Sequence, residues 1–147
     1  MTKQVYQLYI DAPQQQVWEA ITTPEIVSKF FRGAQVSGSY EVGTRVRTAS
    51  QDGSVLWGDN EVLESQPPNR LVHTWRSLYD PEMAAEPESR VTWEVEEVGG
   101  YTRLTLIHDK LEDAPKTAAG VRGWTYYLSN LKTVLETGRS LPALPDR

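Results

Sequence analysis

The chain has 147 residues, of which 39% are hydrophobic and 24% charged, as is usual for a single globular domain. Its net charge of −5 at pH 7 argues against binding to nucleic acid or to an anionic membrane surface, which would require a basic patch. The absence of cysteine excludes disulfides, thiolate nucleophiles and cysteine-based metal sites.

The first predicted element is a strand, KQVYQLYI, in which polar and apolar residues alternate. A helix, DAPQQQVWEAIT, is predicted next, with Asp11 as its N-cap and Pro13 near its first turn. A second short helix, TPEIVSKFF, is predicted to be capped by Thr23 and to end at Gly33. Two short helices therefore follow the first strand.

The middle of the chain predicts a meander of six strands joined by short turns. The predicted strands are AQVSG, GTRVRTAS, VLWGDNEVLESQ, RLVHTWRS, RVTWEVEE and YTRLTLIHD. The third of these strands does not alternate regularly, and a β-bulge near Gly58 would restore its pattern. The acidic segment at residues 80–88 is predicted to be a loop that either borders a cavity or is simply exposed. This order predicts an antiparallel sheet with one face covered by the final helix.

The last element is an amphipathic helix that is predicted to start near Pro115 and to stop at Gly138. At about 100° per residue its apolar side chains fall within one arc of roughly 120°. The arc contains Trp124, Tyr127, Leu128, Leu131, Val134 and Leu135. Gly120 and Gly123 are predicted to lie inside the helix, where they either allow close packing of a neighbour or weaken the helix locally.

Several stretches together resemble a known family. The stretches are YIDAPQQQVWEAITTPEIVSKFF, PPNRLVHTW, VTWEVEEVGGYTRLTLIHD and GWTYYLSNLKTVLETG, in that order. They are similar to homologues of the activator of the 90-kDa heat-shock protein ATPase, which are START-like (SRPBCC) proteins of the helix-grip superfamily. The resemblance extends from about Val5 to Gly138 and is most specific in the last stretch.

The resemblance implies an α+β fold in which a seven-stranded antiparallel sheet wraps around a long C-terminal helix. It also implies a cavity between sheet and helix that many members use for a hydrophobic small molecule. We therefore expect a single START-like domain at residues 1–139 and a C-terminal tail at residues 140–147. Because this superfamily contains carriers, cyclases and co-chaperone domains, the fold alone does not determine the function.

The predicted cavity lining combines inward-facing strand residues with the apolar arc of the final helix. It consists of Phe30, Trp57, His73, Trp75, Trp93, Leu106, His108, Trp124, Tyr127, Leu128 and Leu131. These side chains predict either a ligand pocket with a few polar anchors or a space that the aromatic rings fill.

The two histidines, His73 and His108, are both predicted on the inner face of the sheet. Their strands flank the strand of Trp93, which separates them by roughly 9.5 Å, too far for easy sharing of a metal ion. Each is predicted to be a polar anchor, a general base or a hydrogen-bonded structural residue. The candidates for acid–base chemistry are His108, His73, Tyr127 and Asp59, and His108 is the candidate catalytic base.

The sequence predicts binding of a small hydrophobic or aromatic ligand, without a cofactor and without a defined catalytic activity. One alternative is a cyclase or hydrolase of aromatic or polyketide-like substrates. Another is a co-chaperone, although the chain lacks room for the extra N-terminal domain of the eukaryotic co-chaperones. The sequence leaves open whether the protein forms a homodimer. Because no signal peptide and no run of ~20 apolar residues is found, the protein is expected to be cytoplasmic.

Overall fold

The structure is a computed structural model that describes residues 3–120 and 123–142. The strands are β1 (Gln4–Ile10), β2 (Gln35–Ser37), β3 (Arg45–Ala49), β4 (Leu56–Gln66), β5 (Arg70–Trp75), β6 (Ser89–Val98) and β7 (Tyr101–Asp109). The helices are α1 (Gln14–Thr22), α2 (Pro24–Phe30), α3 (Pro81–Ala84), α4 (Pro115–Gly120) and α5 (Gly123–Thr137). In this described part of the chain, no helix is both long enough and apolar enough to cross a membrane.

The strands form one antiparallel sheet in the order β1-β7-β6-β5-β4-β3-β2. Strands β2 to β7 are neighbours in sequence order, and β1 closes the other edge by pairing with β7. The predicted meander and the seven-stranded α+β helix-grip architecture are therefore confirmed. Such a sheet needs only one covered face, because alternate residues of each strand can point to solvent.

Helix α5 covers the inner face of the sheet with the predicted apolar arc. Trp124, Leu128 and Leu131 are buried, and Tyr127, Val134 and Leu135 are partly buried against the same core. The helix packs against α1, α2 and β1. On the side of β4 and β5, the space between sheet and helix is occupied by aromatic side chains and by a cavity.

Three local predictions differ from the structure. Asp11 does not cap α1, because Pro13 holds the N-cap position and the backbone N–H of Asp11 donates to the carboxylate of Glu136 (2.7 Å). Thr23 does hold the N-cap position of α2, but its side chain makes no capping hydrogen bond. The loop of residues 80–88 contains the short helix α3, whose first turn is capped by Asp80.

The irregular strand β4 contains the predicted bulge. The register with β3 shifts where Thr48 pairs with Gly58 and Ala49 pairs with Leu56, so that Trp57 is left without a partner. A second shift lies between Val62 and Glu64 in the pairing with β5. The first shift confirms the bulge next to Gly58.

The end of the described chain is attached to the domain. The Leu141 N–H donates to Asn130 Oδ1 (2.7 Å), and the Tyr126 hydroxyl donates to the carbonyl of Pro142 (2.9 Å). The Ser140 hydroxyl donates to the carbonyl of Lys29 in α2 (2.9 Å). The division at residue 139 stays a prediction, and residues 143–147 lie outside the described part of the chain.

Candidate functional site

A cavity of about 370 Å³ lies between the inner face of the sheet and the start of α5. Strand β4 contributes Trp57 and Gly58 to its lining, and the end of β5 contributes Trp75. The other lining residues are Phe31, Arg32, Thr48, Asn60, Arg76, Ser77, Tyr79, Met83, Thr117, Gly120, Gly123, Trp124 and Tyr127. This volume is within the range of roughly 300–1,000 Å³ that is usual for small-molecule sites.

Aromatic rings form much of the cavity wall. Phe31 is central to this wall, because its ring lies 4.4 Å from that of Tyr127, 6.3 Å from that of Trp75 and 6.5 Å from that of Trp57, measured between centroids. Trp75 also contacts Trp124, at 5.0 Å. These tilted and edge-to-face contacts stabilise the wall and hold the rings in place without a ligand.

A smaller chamber of about 50 Å³ shares part of this lining. Phe30, His73 and Trp93 border it, together with Trp75 and Trp124, which also border the main cavity. The chamber is largely filled, because the ring of Trp93 packs edge-to-face on that of Trp124 at 5.8 Å. The structure thus combines the two predicted alternatives: rings fill the space on the side of β6 and leave it open on the side of β4.

Of the predicted lining residues, Trp57, Trp75, Trp124 and Tyr127 border the main cavity, and Phe30, His73 and Trp93 border only the smaller chamber. The remaining four, Leu106, His108, Leu128 and Leu131, line neither space. They are buried in the core, with exposed fractions of 4% or less. The alternation of residues along β7 and the apolar arc of α5 place these four side chains on the inner side. Neither pattern tells how far the cavity extends between the sheet and the helix.

The mouth of the cavity is bordered by the loop that contains α3. Met83 from this loop packs against Gly120, where an added Cβ would lie 2.5 Å from the Met83 Cε. A Cβ at Gly123 would lie 3.1 Å from the ring of Tyr127. Both glycines therefore leave room for cavity side chains, in agreement with the close-packing alternative. Whether one helix runs through both glycines depends on residues 121–122, which lie outside the described residues.

The same loop is tied to α4 through Glu86. Its carboxylate accepts hydrogen bonds from the backbone N–H groups of Lys116 (2.7 Å) and Thr117 (2.8 Å) and from the Thr117 hydroxyl (2.6 Å). These donors hold the pKa of Glu86 below its usual value, although removal from water opposes the shift. The acidic loop thus borders the cavity, as one of the two alternatives predicts, and is anchored to the opposite side of the mouth.

His108 is part of a closed hydrogen-bond network in the core. Trp124 Nε1–H donates to His108 Nδ1 (3.1 Å), so the proton of the neutral ring resides on Nε2 and is donated to the Ser89 hydroxyl (2.7 Å). The Ser89 hydroxyl in turn donates to the carbonyl of Trp75 (3.3 Å). Burial, reinforced by nearby His73, lowers the pKa of His108 to about 4.

The predicted role of His108 as a general base does not agree with this geometry. The only lone pair of the neutral ring is occupied by Trp124, and His108 borders neither space. The ring instead positions Trp124, whose indole forms part of the cavity wall.

His73 is also fully engaged. Its Nδ1–H donates to the carbonyl of Thr74 (2.8 Å), and its Nε2 accepts a hydrogen bond from Trp93 Nε1–H (3.0 Å). Burial lowers its pKa, so the ring is neutral at pH 7. His73 therefore anchors Trp93 and leaves no ring nitrogen free for a ligand.

The other acid–base candidates are Asp59 and Tyr127. Asp59 lies outside the cavity lining and pairs with Arg45 (2.8 Å) and Arg47 (3.4 Å), so its pKa is lowered by Arg45. Tyr127 borders the cavity, and burial raises its pKa, so that its hydroxyl keeps its proton at neutral pH. Within residues 3–120 and 123–142 no three His, Asp or Glu side chains are close enough together to hold a metal ion.

Sequence reasoning missed the polar part of the lining, which includes Arg32, Asn60, Arg76 and Ser77. Arg76 directly follows Trp75, and strict alternation along β5 would point one of the two away from the cavity. Both border it because the regular strand ends at Trp75: beyond it the Arg76 N–H donates to Asn60 Oδ1 (3.3 Å) and the Leu78 N–H donates to the carbonyl of Trp57 (2.9 Å). No periodic signal in the sequence marks this end of the strand.

Comparison with known proteins agrees with the resemblance seen in the sequence. The family model described as "Activator of Hsp90 ATPase homolog 1-like protein" matches residues 11–136. Comparison with curated proteins finds no significant match.

Several solved structures share the fold. DynU16, a putative protein in the dynemicin biosynthetic locus, is 27% identical with a TM-score of 0.78; the match covers 95% of this chain and only 49% of DynU16. CalU16 from Micromonospora echinospora is 26% identical (TM-score 0.71), over 95% of this chain and 77% of that one. The Aha1 dimer from Colwellia psychrerythraea is 20% identical (TM-score 0.74), over 95% and 100%, and shows similarity of fold alone.

Proposed function

The chain belongs to the family of activator of Hsp90 ATPase homolog 1-like proteins, and on that basis we propose that it binds a small aromatic or largely apolar molecule. The proposed site is the cavity of about 370 Å³ between the sheet and α5. The protein would hold this molecule without converting it chemically.

The observation that carries the proposal is an open space in a core that is otherwise well packed. Trp93, Trp124 and His108 close the space on one side with rings and hydrogen bonds. On the other side the indoles of Trp57 and Trp75 border an unfilled volume. A lining of pre-positioned rings with a few polar groups is the usual form of a small-molecule site.

Catalysis receives less support than binding. Both ring nitrogens of His73 and of His108 are engaged in hydrogen bonds within the protein. Neither histidine can accept a proton from a substrate without breaking one of these bonds, and burial further disfavours the charged ring. Among the acid–base candidates weighed above, only the Tyr127 hydroxyl borders the main cavity, and it is held in its uncharged form.

The test is direct binding of a neutral aromatic probe, N-phenyl-1-naphthylamine, followed by fluorescence, with native mass spectrometry of freshly purified protein. We expect saturable binding by the wild-type protein and a loss of at least about ten-fold in affinity in Trp57→Ala, which removes an indole from the wall. Leu56→Ala is the matched control, since Leu56 is the 44% exposed neighbour on the same strand. Folded wild-type protein that binds neither this probe nor any charged aromatic probe would refute the proposal.

A partner-binding function is the second candidate, and one surface feature favours it. The rings of Tyr9 and Tyr101 contact each other edge-to-face at 5.9 Å on the outer face of β1 and β7, although they are 48% and 40% exposed. Exposed aromatic pairs are common at protein interfaces. If this surface binds a 90-kDa heat-shock ATPase, the protein should stimulate ATP hydrolysis, and Tyr9→Ser should abolish the stimulation; an unchanged ATPase rate would exclude this role.

A further inference from the structure

We propose that the molecule bound in this cavity is an aromatic acid, whose carboxylate is held by Arg76 and whose ring system lies near Arg32 and Trp57. The inference rests on the proposed function, because it names the chemical class that the same cavity would select. It narrows the expectation of a small hydrophobic or aromatic ligand, since the lining combines aromatic walls with arginine residues.

The charge of the lining is opposite to the charge of the protein. The whole chain carries 20 acidic and 15 basic residues. Among the residues that the structure describes, the cavity is nevertheless lined by two arginines, Arg32 and Arg76, and by no aspartate or glutamate. In a partly enclosed space of low polarity, two such cations favour a ligand of negative charge.

These two arginines also differ from the arginines on the strands. All five strand arginines pair with a carboxylate within 3.4 Å; these are Arg45, Arg47, Arg70, Arg90 and Arg103. Among residues 3–120 and 123–142, neither Arg32 nor Arg76 has a carboxylate partner within 4.0 Å. The two arginines that border the cavity therefore have no carboxylate partner in the described part of the chain.

Arg76 carries the stronger argument of the two. Its Nε is buried and has no hydrogen-bond partner in the described part of the chain. A buried donor without a partner destabilises the folded state, most of all when it is charged, so proteins rarely leave one unpaired. Its backbone is fixed beside the cavity by the hydrogen bond to Asn60, which is itself 5% exposed.

A carboxylate would supply the missing acceptor. The guanidinium group presents parallel N–H donors that match the two oxygens of a carboxylate, and such charge-assisted pairs are about twice as strong as neutral hydrogen bonds. A neutral carbonyl offers one oxygen instead of two and would not compensate the charge. The unpaired Nε thus points to an anion rather than to a neutral polar group.

Arg32 supports the aromatic part of the inference. Its guanidinium carbon lies 5.5 Å from the centroid of the Trp57 ring, in a cation–π contact at the cavity wall. The residue has a φ of +60°, a left-handed conformation that is strained for arginine, directly before Gly33 with a φ of +69°. Strain of this kind persists where the surrounding structure maintains it, and it clusters at ligand sites.

The volume of the cavity and the rings that line it limit which aromatic acids can bind. A volume of about 370 Å³ accommodates a fused bicyclic or tricyclic ring system with one acidic substituent. The rings of Phe31, Trp57, Trp75 and Tyr127 provide flat surfaces for stacking. Long acyl chains fit less well, because the smaller adjoining chamber, which could hold a tail, has only about 50 Å³.

The test compares two probes of equal shape, 2-naphthoate and 2-naphthamide, which differ in charge. Binding is measured by isothermal titration calorimetry and by NMR of the tryptophan indole N–H signals. We expect 2-naphthoate to bind wild-type protein at least about ten-fold more tightly than 2-naphthamide. The signals of Trp57, Trp75 and Trp124 should shift, whereas that of Trp18, buried outside the cavity lining, should not.

Substitutions at Arg76 then assign the acidic subsite. Arg76→Gln should remove most of the preference for naphthoate, so that the two probes bind this variant with affinities within about three-fold of each other. The matched control is Arg139→Gln, which removes the same charge from an exposed arginine outside the cavity lining. Arg76→Lys keeps the charge but loses the paired donors, and should show an intermediate preference.

The outcomes separate the inference from the proposed function. Equal binding of the two probes by wild-type protein would overturn the acid-binding inference and leave small-molecule binding intact. A preference that survives undiminished in folded Arg76→Gln would overturn the role of Arg76. If folded wild-type protein binds neither these probes nor N-phenyl-1-naphthylamine, the proposed function itself fails.

Discussion

Lowering the pH from 7 to 5 is expected to destabilise the folded protein through His108. The side chain is fully buried, with its lone pair occupied by Trp124 and its N–H donated to Ser89. Protonation would place a second N–H against the Trp124 donor inside the core. Burial and nearby His73 therefore hold its pKa at about 4, and the charge of Asp109 opposes this only in part.

The direction of the effect follows from the proton balance between the two states. Above pH 6.5, the ordinary pKa of histidine, neither the native nor the unfolded chain is extensively protonated at this residue, so stability is unaffected. Between pH 6.5 and about 4, the unfolded chain binds a proton that the native protein excludes, so the free energy of unfolding falls. Below about pH 4 both states bind the proton and this contribution stops changing.

The magnitude follows from the same two pKa values. A histidine with a pKa of 6.5 when unfolded and about 4 when folded lowers the free energy of unfolding by about 2 kcal/mol between pH 7 and 5. The total loss approaches about 3 kcal/mol near pH 4. His73, whose pKa burial also lowers, acts in the same direction.

Urea denaturation followed by tryptophan fluorescence at pH 7, 6 and 5 measures this effect. The comparison protein is His108→Asn, which keeps an acceptor near Trp124 but does not titrate. Carboxylates with lowered pKa values far from His108, such as Asp59 beside Arg45, affect both proteins alike and cancel in the difference. We expect the wild-type protein to lose about 2 kcal/mol more than the variant between pH 7 and 5.

Parallel pH profiles for the two folded proteins would refute this reasoning. They would mean that His108 protonates equally easily in the native and unfolded states, which is incompatible with a sealed network between Trp124 and Ser89. A second check is NMR titration of the His108 ring, which should stay neutral down to about pH 5 in the folded protein.

Three further predictions test the cavity, its mouth and the chain end. Folded Gly58→Val should bind 2-naphthamide at least about ten-fold more weakly, because Gly58 borders the cavity and an added Cβ would lie 3.1 Å from Thr48 Oγ1 in the lining. Glu86→Gln should accelerate hydrogen exchange at the Thr117 amide, because it weakens the carboxylate cap on α4. Asn130→Ala should lower the free energy of unfolding by about 1–3 kcal/mol, measured in urea, because buried Asn130 accepts the Leu141 N–H.

Each of these predictions has an outcome that contradicts it. Unchanged affinity in Gly58→Val would show that probes bind elsewhere. Thr117 exchange that is no faster in Glu86→Gln than in the control Glu82→Gln, whose carboxylate contacts only the Lys116 side chain at 3.5 Å, would show that the cap is not needed. An unchanged denaturation midpoint in Asn130→Ala would mean that the chain end is not held by this hydrogen bond.

Most of the fold could be predicted from the sequence, because it depends on local periodicity. Apolar residues recur with a period of two in β1, β6 and β7 and with a period near 3.6 in α5, so each element has one apolar face. Burial of these faces against one another produces the sheet and its covering helix. The bulge at Gly58 was predictable for the same reason, since the alternation breaks there. Caps were less predictable, because Asp11 and Thr23 have side chains suited to capping but make no such bond.

The candidate site was predictable only in part. Parity along the strands places Trp75, Trp93 and His108 on the inner face, but it does not tell which of them borders an open space. That depends on how rings from different strands pack on Trp124, and these contacts join residues far apart in the chain. The tautomers of the two histidines depend equally on distant donors.

By itself, the sequence determined the class of the protein: one antiparallel sheet, one covering helix and an aromatic face between them. Only the tertiary structure decided where that interface stays open, that both histidines are sealed and that two arginines without a carboxylate partner border the opening. The physical reason is the range of the interactions. Periodic burial is encoded residue by residue, whereas a cavity and its charge arise where turns and distant side chains meet.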